Sequence, residues 1–234
     1  MKIALVGYGK MGKAIEQIAI EKGHEIVARI NVDNTQEIDN LSADVAIEFS
    51  QPESAIGNYK KLFDKGIPVV SGTTGWLNEY NEVCAYCNAR NSAFFYASNF
   101  SIGVNIFFNI NKKLASLLSP YKFNCEIEET HHKQKLDKPS GTAISLANDI
   151  IKHQDKFDNW ALKEQAQHTD IPILSFREGE ITGMHQIKYT GLHDEIIIKH
   201  NALNRNGFAL GAVLAAEFIY GKKGIFNMDN LLQL

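Results

Sequence analysis

The chain lacks a basic surplus, a long apolar run and any repeat or low-complexity segment. Its formal net charge of −3 provides no excess of positive charge of the kind that nucleic-acid binders carry. No apolar run approaches membrane-spanning length, and Gly7 interrupts the first run too early for the apolar core of a signal peptide. We therefore expect a cytoplasmic protein that binds neither nucleic acid nor membrane.

Cysteine is also scarce. Cys84, Cys87 and Cys125 cannot all pair, and this odd count fits a reducing compartment. The spacing of Cys84 and Cys87 allows a redox or zinc interpretation, but zinc would need a second ligand pair that the sequence does not supply. Tyr80 and Val83 lie on the same side of a predicted helix, so ordinary packing is favoured and no metal site is predicted.

The first hundred residues alternate short apolar runs with helical stretches. A hydrophobic content of 44% over 234 residues suits one large domain or two modest ones. Strand-like runs at 3–6, 26–30, 45–49, 67–71 and 94–97 are separated by helical patterns, which predicts an α/β fold with a Rossmann-like, doubly wound parallel sheet. The polar interval 31–44 is too short for a full crossover and is predicted to form a compact loop.

The pattern changes after residue 99. An apolar helix at 104–118 precedes strand-like runs at 126–130, 173–177, 181–189 and 195–200, which predicts an α+β domain on a mixed or antiparallel sheet. A last helix, at about 207–220, is expected to pack on the first domain. We therefore predict a dinucleotide-binding domain of residues 1–100 plus 206–234, and a substrate-binding and oligomerisation domain of residues 101–205.

A glycine motif lies between the first predicted strand and the first helix. Gly7 would permit a tight turn, Gly9 a close approach of a pyrophosphate, and Gly12 the packing of helix on strand. This context favours a dinucleotide site, although a glycine-rich turn in another α/β fold would give the same pattern.

The residue that holds the adenosine ribose should follow the second strand. Asp33 is the nearest carboxylate and Asn31 is its polar rival, while a solvated turn would also explain Asp33. No arginine follows to bind a 2′-phosphate, which favours NADH, whereas Lys10 keeps NADPH open. Gly72, Thr73 and Thr74 either line the cofactor crevice or only form a turn.

Two histidines and a lysine precede a Ser-Gly-Thr turn in the segment 128–142. Imidazole exchanges protons near neutral pH, and adjacent His131 and His132 would point to opposite sides of an extended strand, which argues against one shared metal. Lys135 brings an ammonium group near the turn. The segment predicts a site for an anionic substrate, with a solvated basic loop as the alternative.

The turn itself offers a second source of anion binding. Ser140 can cap the helix that follows, and Gly141 and Thr142 then present backbone N–H groups at its N-terminus. A later alternating run, from Arg177 to His185, is expected to shape the substrate sheet, and His185 and His200 are assigned structural roles.

With these motifs in place, the chain resembles the 4-hydroxy-tetrahydrodipicolinate (dihydrodipicolinate) reductase family. The resemblance rests, in order, on GYGKMG, GTTG, ASNFSIGVN, ETHHKQKLDKPSGT, REGEITGMH and GIFNMDNLL. It implies a two-domain reductase of lysine and diaminopimelate synthesis, usually tetrameric, that uses NADH or NADPH on a cyclic imine dicarboxylate. A related dehydrogenase of amino acids or sugars and a non-catalytic NAD(H)-sensing module are the alternatives.

The resemblance also implies roles for individual residues. His131 would donate and accept a proton and Lys135 would donate one, while His132, Ser140, Gly141 and Thr142 would bind the substrate carboxylates. The implied cofactor-binding residues are Gly7, Tyr8, Gly9, Lys10, Met11, Gly12, Asp33, Gly72, Thr73, Thr74, Ala97, Ser98, Asn99 and Phe100. The chain departs from the family in its short 31–44 interval and in having Asn31-Val32-Asp33 where many members have Glu-Arg.

Overall fold

The computed structural model describes residues 1–234 and divides them into two compact units. The first unit comprises Met1–Ile102 and Arg205–Leu234, and the second comprises Gly103–Asn204. Each unit has its own buried apolar core. None of the helices combines the length and apolar character that crossing a bilayer requires.

The first unit begins with the predicted alternation of strands and helices. In chain order these elements are β1 (Lys2–Val6), α1 (Lys10–Glu21), β2 (Glu25–Ile30), β3 (Val45–Glu48), α2 (Pro52–Asp64), β4 (Val69–Ser71), α3 (Tyr80–Ala89) and β5 (Ala93–Tyr96).

The second unit follows, and the chain then returns to the first. The elements in this part are α4 (Ile102–Leu118), β6 (Asn124–His131), α5 (Gly141–Ile151), β7 (Asn159–Leu162), β8 (Asp170–Arg177), β9 (Gly183–Thr190), β10 (Glu195–Ala202), α6 (Asn206–Ile219), β11 (Gly224–Phe226) and α7 (Met228–Leu232).

The sheet of the first unit is parallel throughout, in the order β11-β5-β4-β3-β1-β2. Apolar residues of α1 and α6 pack in the core on one face, and those of α2 and α3 pack in the core on the other. The predicted doubly wound, Rossmann-like sheet is therefore confirmed, and the last helix packs within this unit as expected. Because all strands run the same way, the segments that follow them lie at one edge of the sheet.

The predicted compact loop at 31–44 contains no α-helix, but it has 3-10 structure that the sequence did not indicate. Residues Val32–Asn40 form 3-10 turns with a kink at Asn34, and Asn31 and Asn34 cap each other's backbone N–H groups. Ile38 is fully buried in the core on the α2 face. A 3-10 helix repeats every three residues and is short, so it leaves no α-helical periodicity in the sequence.

The second unit is built on a mixed sheet in the order β10-β9-β6-β8-β7, as predicted. The pairs β10–β9 and β9–β6 are antiparallel, whereas β6–β8 and β8–β7 are parallel. Buried residues of α4 and α5, including Phe107, Leu146 and Ile150, pack with Ile127 and Ile173 of the sheet in one core. The central strand β6 thus has one face turned towards helices.

The three cysteines are free thiols. Cys84 and Cys87 lie on α3, which confirms that this segment is helical, and Cys87 is fully buried in the core. Burial, with a smaller effect of Cys84, raises the pKa of Cys87 to about 12. A thiol held protonated in this way packs as a small apolar group.

Candidate active site

The glycine loop has the geometry that the sequence motif predicts. Gly7 has φ +91°, and a Cβ atom there would lie 2.1 Å from the carbonyl oxygen of Phe49. A Cβ at Gly12 would lie 2.5 Å from the oxygen of Gly7, whereas a Cβ at Gly9 would meet nothing within 4 Å. Gly7 and Gly12 are therefore required by the protein's own packing, and only Gly9 faces open space.

Gly9 is also the N-cap of α1, and no side chain caps this helix end. Its first backbone N–H groups have no intrahelical partner and remain available to an anion. Tyr8 donates its backbone N–H to Oδ1 of Asn31 at 2.7 Å, which joins the loop to the end of β2. This cradle fits the pyrophosphate of a dinucleotide.

A cleft of about 370 Å³ adjoins the loop at the carboxyl edge of the sheet. Asn31 and Thr35 lie in its wall, whereas Asp33, on the first 3-10 turn, is exposed and does not line the cleft. The full lining is Val6, Gly7, Gly9, Ile30, Asn31, Val32, Thr35, Phe49, Ser50, Gln51, Ser54 and Asn58. Of the two residues considered for the ribose, Asn31 is the one in the cleft.

The other predicted cofactor segments follow β4 and β5 at the same edge. Gly72 packs against the ring of Phe49 so closely that a Cβ would lie 2.2 Å from it. Phe100, at the end of the segment 97–100, is 2% exposed and stacks near Phe49 and Phe95. A Cβ at Gly211 of α6 would lie 1.8 Å from the oxygen of Phe100, so glycine there lets the helix approach this segment.

Glu48, at the end of β3, is a fully buried carboxyl group that the sequence analysis gave no role. Its Oε2 accepts hydrogen bonds from Thr73 Oγ1 at 2.8 Å and Ser71 Oγ at 3.1 Å, and Ser50 Oγ donates to its Oε1. Thr73 Oγ1 in turn accepts from the backbone N–H of Ser50 at 2.9 Å. Glu48 therefore links the segments that follow β3 and β4. The side chain of Thr73 is engaged in this link through its hydrogen bonds to Glu48 and Ser50.

A cluster of polar side chains lies on the helix-facing side of the second unit's sheet. The strand register pairs Glu129 with His185 on β9 and with Ser175 on β8, and it pairs His131 with Arg177. We call the set Glu129, His131, Ser140, Ser175, Arg177 and His185 the Glu129 cluster.

Glu129 is the centre of this cluster and is fully buried. Its Oε1 accepts hydrogen bonds from the backbone N–H of Ser140 at 3.1 Å, from Ser175 Oγ, and from Nη1 and Nη2 of Arg177 at 3.1 Å each. Burial disfavours the charged form, but the contacts with His131, Ser140 and Ser175 outweigh it and hold the pKa of Glu129 well below its usual value.

The two histidines of the cluster have different environments. Nδ1 of His131 lies 2.9 Å from Oε2 of Glu129, and the rings of His131 and His185 are 5.0 Å apart. Burial, with a smaller effect of His131, lowers the pKa of His185 to about 3, so its ring is neutral at neutral pH. His185 Nε2 bonds to Ser140 Oγ at 3.1 Å, which agrees with its predicted structural role.

Ser140 caps α5 as predicted, since its Oγ accepts from the backbone N–H of Ala143 at 3.2 Å. It is only 2% exposed, and its backbone N–H is bonded to Glu129. Gly141 and Thr142 are the first two residues of the helix, where N–H groups have no intrahelical partner, and a Cβ at Gly141 would meet nothing within 4 Å. The open anion-binding groups are therefore those of Gly141 and Thr142.

Lys135 lies in the loop between β6 and α5 and is half-buried. Its Nζ donates to both carboxylate oxygens of Asp137, at 2.7 and 2.8 Å. Arg177 donates to the backbone oxygens of Lys135 and Asp137, which holds this loop to the end of β8. His132 follows the last residue of β6, and its buried Nδ1 has no hydrogen-bond partner.

Glu129, His131 and His185 also have the composition of a metal site, with ligand atoms within 4.8 Å of one another. Two of these groups are already engaged, because Arg177 neutralises Glu129 and Ser140 bonds to Nε2 of His185. These ligand atoms are thus already in contact with other side chains of the cluster.

Two family models cover nearly all of the sequence. The model of the N-terminus of dihydrodipicolinate reductase matches residues 1–100, and the model of its C-terminus matches residues 103–232. The chain belongs to the dihydrodipicolinate reductase family. This confirms the resemblance that the motifs indicated. The protein is an oxidoreductase that uses a pyridine nucleotide and acts on a small molecule.

Relatives within the family agree along their full length. A 4-hydroxy-tetrahydrodipicolinate reductase of Christiangramia forsetii is 47% identical over 234 residues, which cover 99% of this chain and 98% of the relative. One of Archaeoglobus fulgidus is 33% identical over 260 residues, with both chains covered completely. The structure of a dipicolinate-bound dihydrodipicolinate reductase from Paenisporosarcina sp. TG-14 has a TM-score of 0.78 at 23% identity over 97% of each chain, and this likeness shows the shared fold.

The sequence motifs of the dihydrodipicolinate reductase family did not indicate all the residues that the structure brings together in the Glu129 cluster. Glu129 and Ser175 were given no role, and Arg177 was assigned only to shaping the sheet. Strand alternation carried the missing signal: Cys125, Ile127 and Glu129 share the buried face of β6. A carboxylate on an otherwise apolar face needs partners, and those partners are the polar residues at the same level of β8 and β9.

Proposed function

We propose that the chain reduces 4-hydroxy-tetrahydrodipicolinate to tetrahydrodipicolinate, with loss of water, in lysine and diaminopimelate synthesis. The observation that supports the proposal is that His131 and Ser140, the N-cap of α5, both contact the buried carboxylate of Glu129, while Lys135 lies in the loop between β6 and α5. This combination of proton donors and anion-binding groups suits a small dicarboxylate. It also supports a cytoplasmic enzyme, because the substrate belongs to biosynthesis.

The substrate carboxylates would bind at the N-terminus of α5. The helix dipole contributes roughly 0.3–1 kcal/mol to a carboxylate there, and each charge-assisted hydrogen bond about 1.5–3 kcal/mol. Gly141 and Thr142 offer the backbone donors, and His132 adds a ring nitrogen. Lys135 supplies an ammonium group that is paired with Asp137, and a bound carboxylate would compete with Asp137 for it.

Protons would be supplied by His131 and Lys135. When bound, the pyridine nucleotide supplies the hydride that enters the ring as the 4-hydroxyl group leaves. Nδ1 of His131 lies 2.9 Å from the buried carboxylate of Glu129, and Lys135 can protonate a leaving hydroxyl group. The two residues would therefore serve as the acid–base pair of the reaction.

The residues at the carboxyl edge of the first unit's sheet fit a dinucleotide. Gly7 to Gly12 would hold the pyrophosphate, Asn31 or Asp33 the adenosine ribose, and the segments 72–74 and 97–100 the nicotinamide half. NADH is favoured over NADPH because no Lys or Arg lines the cleft at the end of β2. Arg29, the arginine nearest to Asn31 in the sequence, donates a hydrogen bond to Glu16. Titration of the protein with NADH and NADPH by calorimetry tests this preference, and Lys10→Ala shows whether Lys10 contributes to NADPH binding.

A homo-oligomer, and a tetramer by family resemblance, is part of the proposal. The open sheet of the second unit has large apolar side chains on its surface, with Phe176 40% and Ile197 45% exposed. Such residues on a sheet favour association of subunits. Sedimentation equilibrium of the wild-type protein and of Ile197→Lys would test it: a tetramer that dissociates in the variant supports the sheet as the interface.

The activity test supplies fresh product of the preceding synthase and follows the nicotinamide absorbance with each cofactor. Consumption that depends on the cyclic imine supports the reductase. Turnover with amino acids or sugars instead would indicate a related dehydrogenase. Cofactor binding without turnover on any of these substrates would indicate an NAD(H)-sensing module.

A further inference from the structure

We infer that Glu129 is a positioning residue that holds the imidazole of His131 with its proton on Nδ1 and leaves Nε2 to exchange the reaction proton. This inference deepens the proposed function and rests on it, because it assigns a partner to the proposed acid–base group. It concerns a residue that never contacts the substrate, since Glu129 is fully buried.

The first support is the contact between two buried atoms that have no hydrogen-bond partner elsewhere. Nδ1 of His131 and Oε2 of Glu129 are 2.9 Å apart, which is ion-pair distance without the angle of a hydrogen bond, and both atoms are buried with no other hydrogen-bond partner. A neutral ring carries one proton, and a buried carboxylate oxygen accepts but does not donate. Placing that proton on Nδ1 sets a donor opposite an acceptor, whereas placing it on Nε2 would leave two acceptors facing each other.

The second support is that the two carboxylate oxygens of Glu129 have different partners. Oε1 receives the donors from Ser140, Ser175 and Arg177. Oε2 is left to His131, with His185 Nε2 farther away at 3.8 Å. The carboxylate is therefore anchored through one oxygen and presents the other in a fixed direction, as a group that orients a histidine must.

The third support is the space on the other side of the ring. A Cβ at Gly183 would lie 3.1 Å from Nε2 of His131, so glycine at this position keeps one more side chain away from that nitrogen. The His131 side chain is 9% exposed although its Nδ1 is buried, so the accessible part of the ring lies away from Glu129. Nε2 is thus the nitrogen that can reach a substrate.

The charged and titratable groups that face His131 are Glu129, His185 and Arg177. Arg177 and Glu129 compensate each other, and His185 is neutral at neutral pH, so Oε2 of Glu129 is the acceptor that faces Nδ1 of His131. Replacing the carboxylate by an amide presents either an oxygen or an NH₂ group to Nδ1, so the amide no longer selects one tautomer of the ring.

The test combines a spectrum that needs no turnover with steady-state kinetics. Ring ¹⁵N spectra of histidine-labelled wild-type protein, assigned with His131→Asn, should show the Nδ1–H form for His131 when the ring is neutral. In Glu129→Gln we expect a mixture of tautomers and a kcat at least about tenfold lower, with KM little changed. Glu126→Gln, on the opposite face of β6, is the matched control and should leave the tautomer and kcat unchanged.

Ser175→Ala separates positioning from a merely structural role. It removes a donor to Oε1 and should lower the melting temperature, yet it keeps the contact between Oε2 and His131 and should retain the wild-type tautomer and kcat. An Nε2–H tautomer in the wild type, or an unchanged tautomer and kcat in folded Glu129→Gln, would overturn the inference. Because the spectrum is read without substrate, a failure of the reductase proposal is distinguishable: the tautomer would be as inferred while no imine is reduced.

Discussion

Arg177 donates to a single oxygen of Glu129 through both terminal nitrogens of its guanidinium group, each 3.1 Å from Oε1. Besides His131 and His185, the arginine is the one basic side chain within ion-pair distance of that fully buried carboxylate. A buried charge is tolerated when it is paired and hydrogen-bonded, and removal of one partner leaves the other uncompensated.

Arg177→Leu should therefore destabilise the protein strongly. Loss of one member of a buried ion pair costs about 3–5 kcal/mol, and the remaining hydroxyl and N–H donors to Glu129 place the expected loss near the lower figure. Urea unfolding of both proteins measures the change. Arg90→Leu is the control, because Arg90 pairs with Asp64 at the surface and its removal should have a much smaller effect. Equal losses in the two variants would contradict this account of the buried pair.

Lys135→Ala should reduce kcat at least about a hundredfold while cofactor binding is retained, since a positioned proton donor is worth about 10²–10⁴ in rate. Steady-state kinetics and NADH titration measure the two properties. Lys133→Ala removes an exposed lysine two residues away and should keep near wild-type activity. An unchanged kcat in Lys135→Ala would remove this residue from the mechanism.

Gly9→Val should fold and fail to bind a dinucleotide. The protein leaves open space around the Cβ position of Gly9, so the new side chain occupies only the place of the pyrophosphate. Calorimetric titration with NADH measures binding, and circular dichroism checks the fold. Gly57→Val, also in open space but on α2, should bind normally, and Gly12→Val should lose stability because its Cβ would lie 2.5 Å from Gly7. Normal affinity in Gly9→Val would contradict the loop assignment.

Stability should fall as the solution is acidified below the ordinary pKa of histidine. The pKa of His185 is lowered to about 3 in the folded protein, so between pH 6.5 and 3 the unfolded chain binds more protons than the folded one. The stability is complete above about pH 6.5, and the loss by pH 5 is on the order of 2 kcal/mol. Below that range the lowered pKa of Glu129 adds a further loss, because its carboxylate must be protonated on unfolding.

Urea unfolding at a series of pH values measures this slope. His185→Gln keeps an amide near Ser140 but does not titrate, and it should flatten the loss between pH 7 and 5. His193→Gln, on the exposed turn between β9 and β10, should keep the wild-type slope. A slope that is the same in His185→Gln and the wild type would show that another group causes the acid sensitivity.

The sequence predicted the fold closely where the pattern was strong. Five continuous apolar runs and a glycine motif indicated the parallel sheet, because each run must be buried on both faces. It did not predict β7, whose residues Asn159–Leu162 are half-buried or exposed, or β11, which has only three residues. Such short edge strands depend on pairing with a neighbour and leave little periodicity.

The candidate site was predicted less completely. Histidine, lysine and the Ser-Gly-Thr turn are close in sequence, so local chemistry indicated them. Ser175, Arg177 and His185 reach Glu129 only through the register of β8 and β9, which no local pattern encodes. The 3-10 turn that separates Asn31 from Asp33 has no α-helical period, so the position of Asn31 in the cleft was not foreseen.

The measurement that tests the account most directly is the change in nicotinamide absorbance when freshly made 4-hydroxy-tetrahydrodipicolinate is added to the protein and NADH. We expect cofactor oxidation that depends on the imine and falls at least about a hundredfold in Lys135→Ala but not in Lys133→Ala. Absence of oxidation with both NADH and NADPH, in wild-type protein that binds the cofactor, would contradict the reductase assignment.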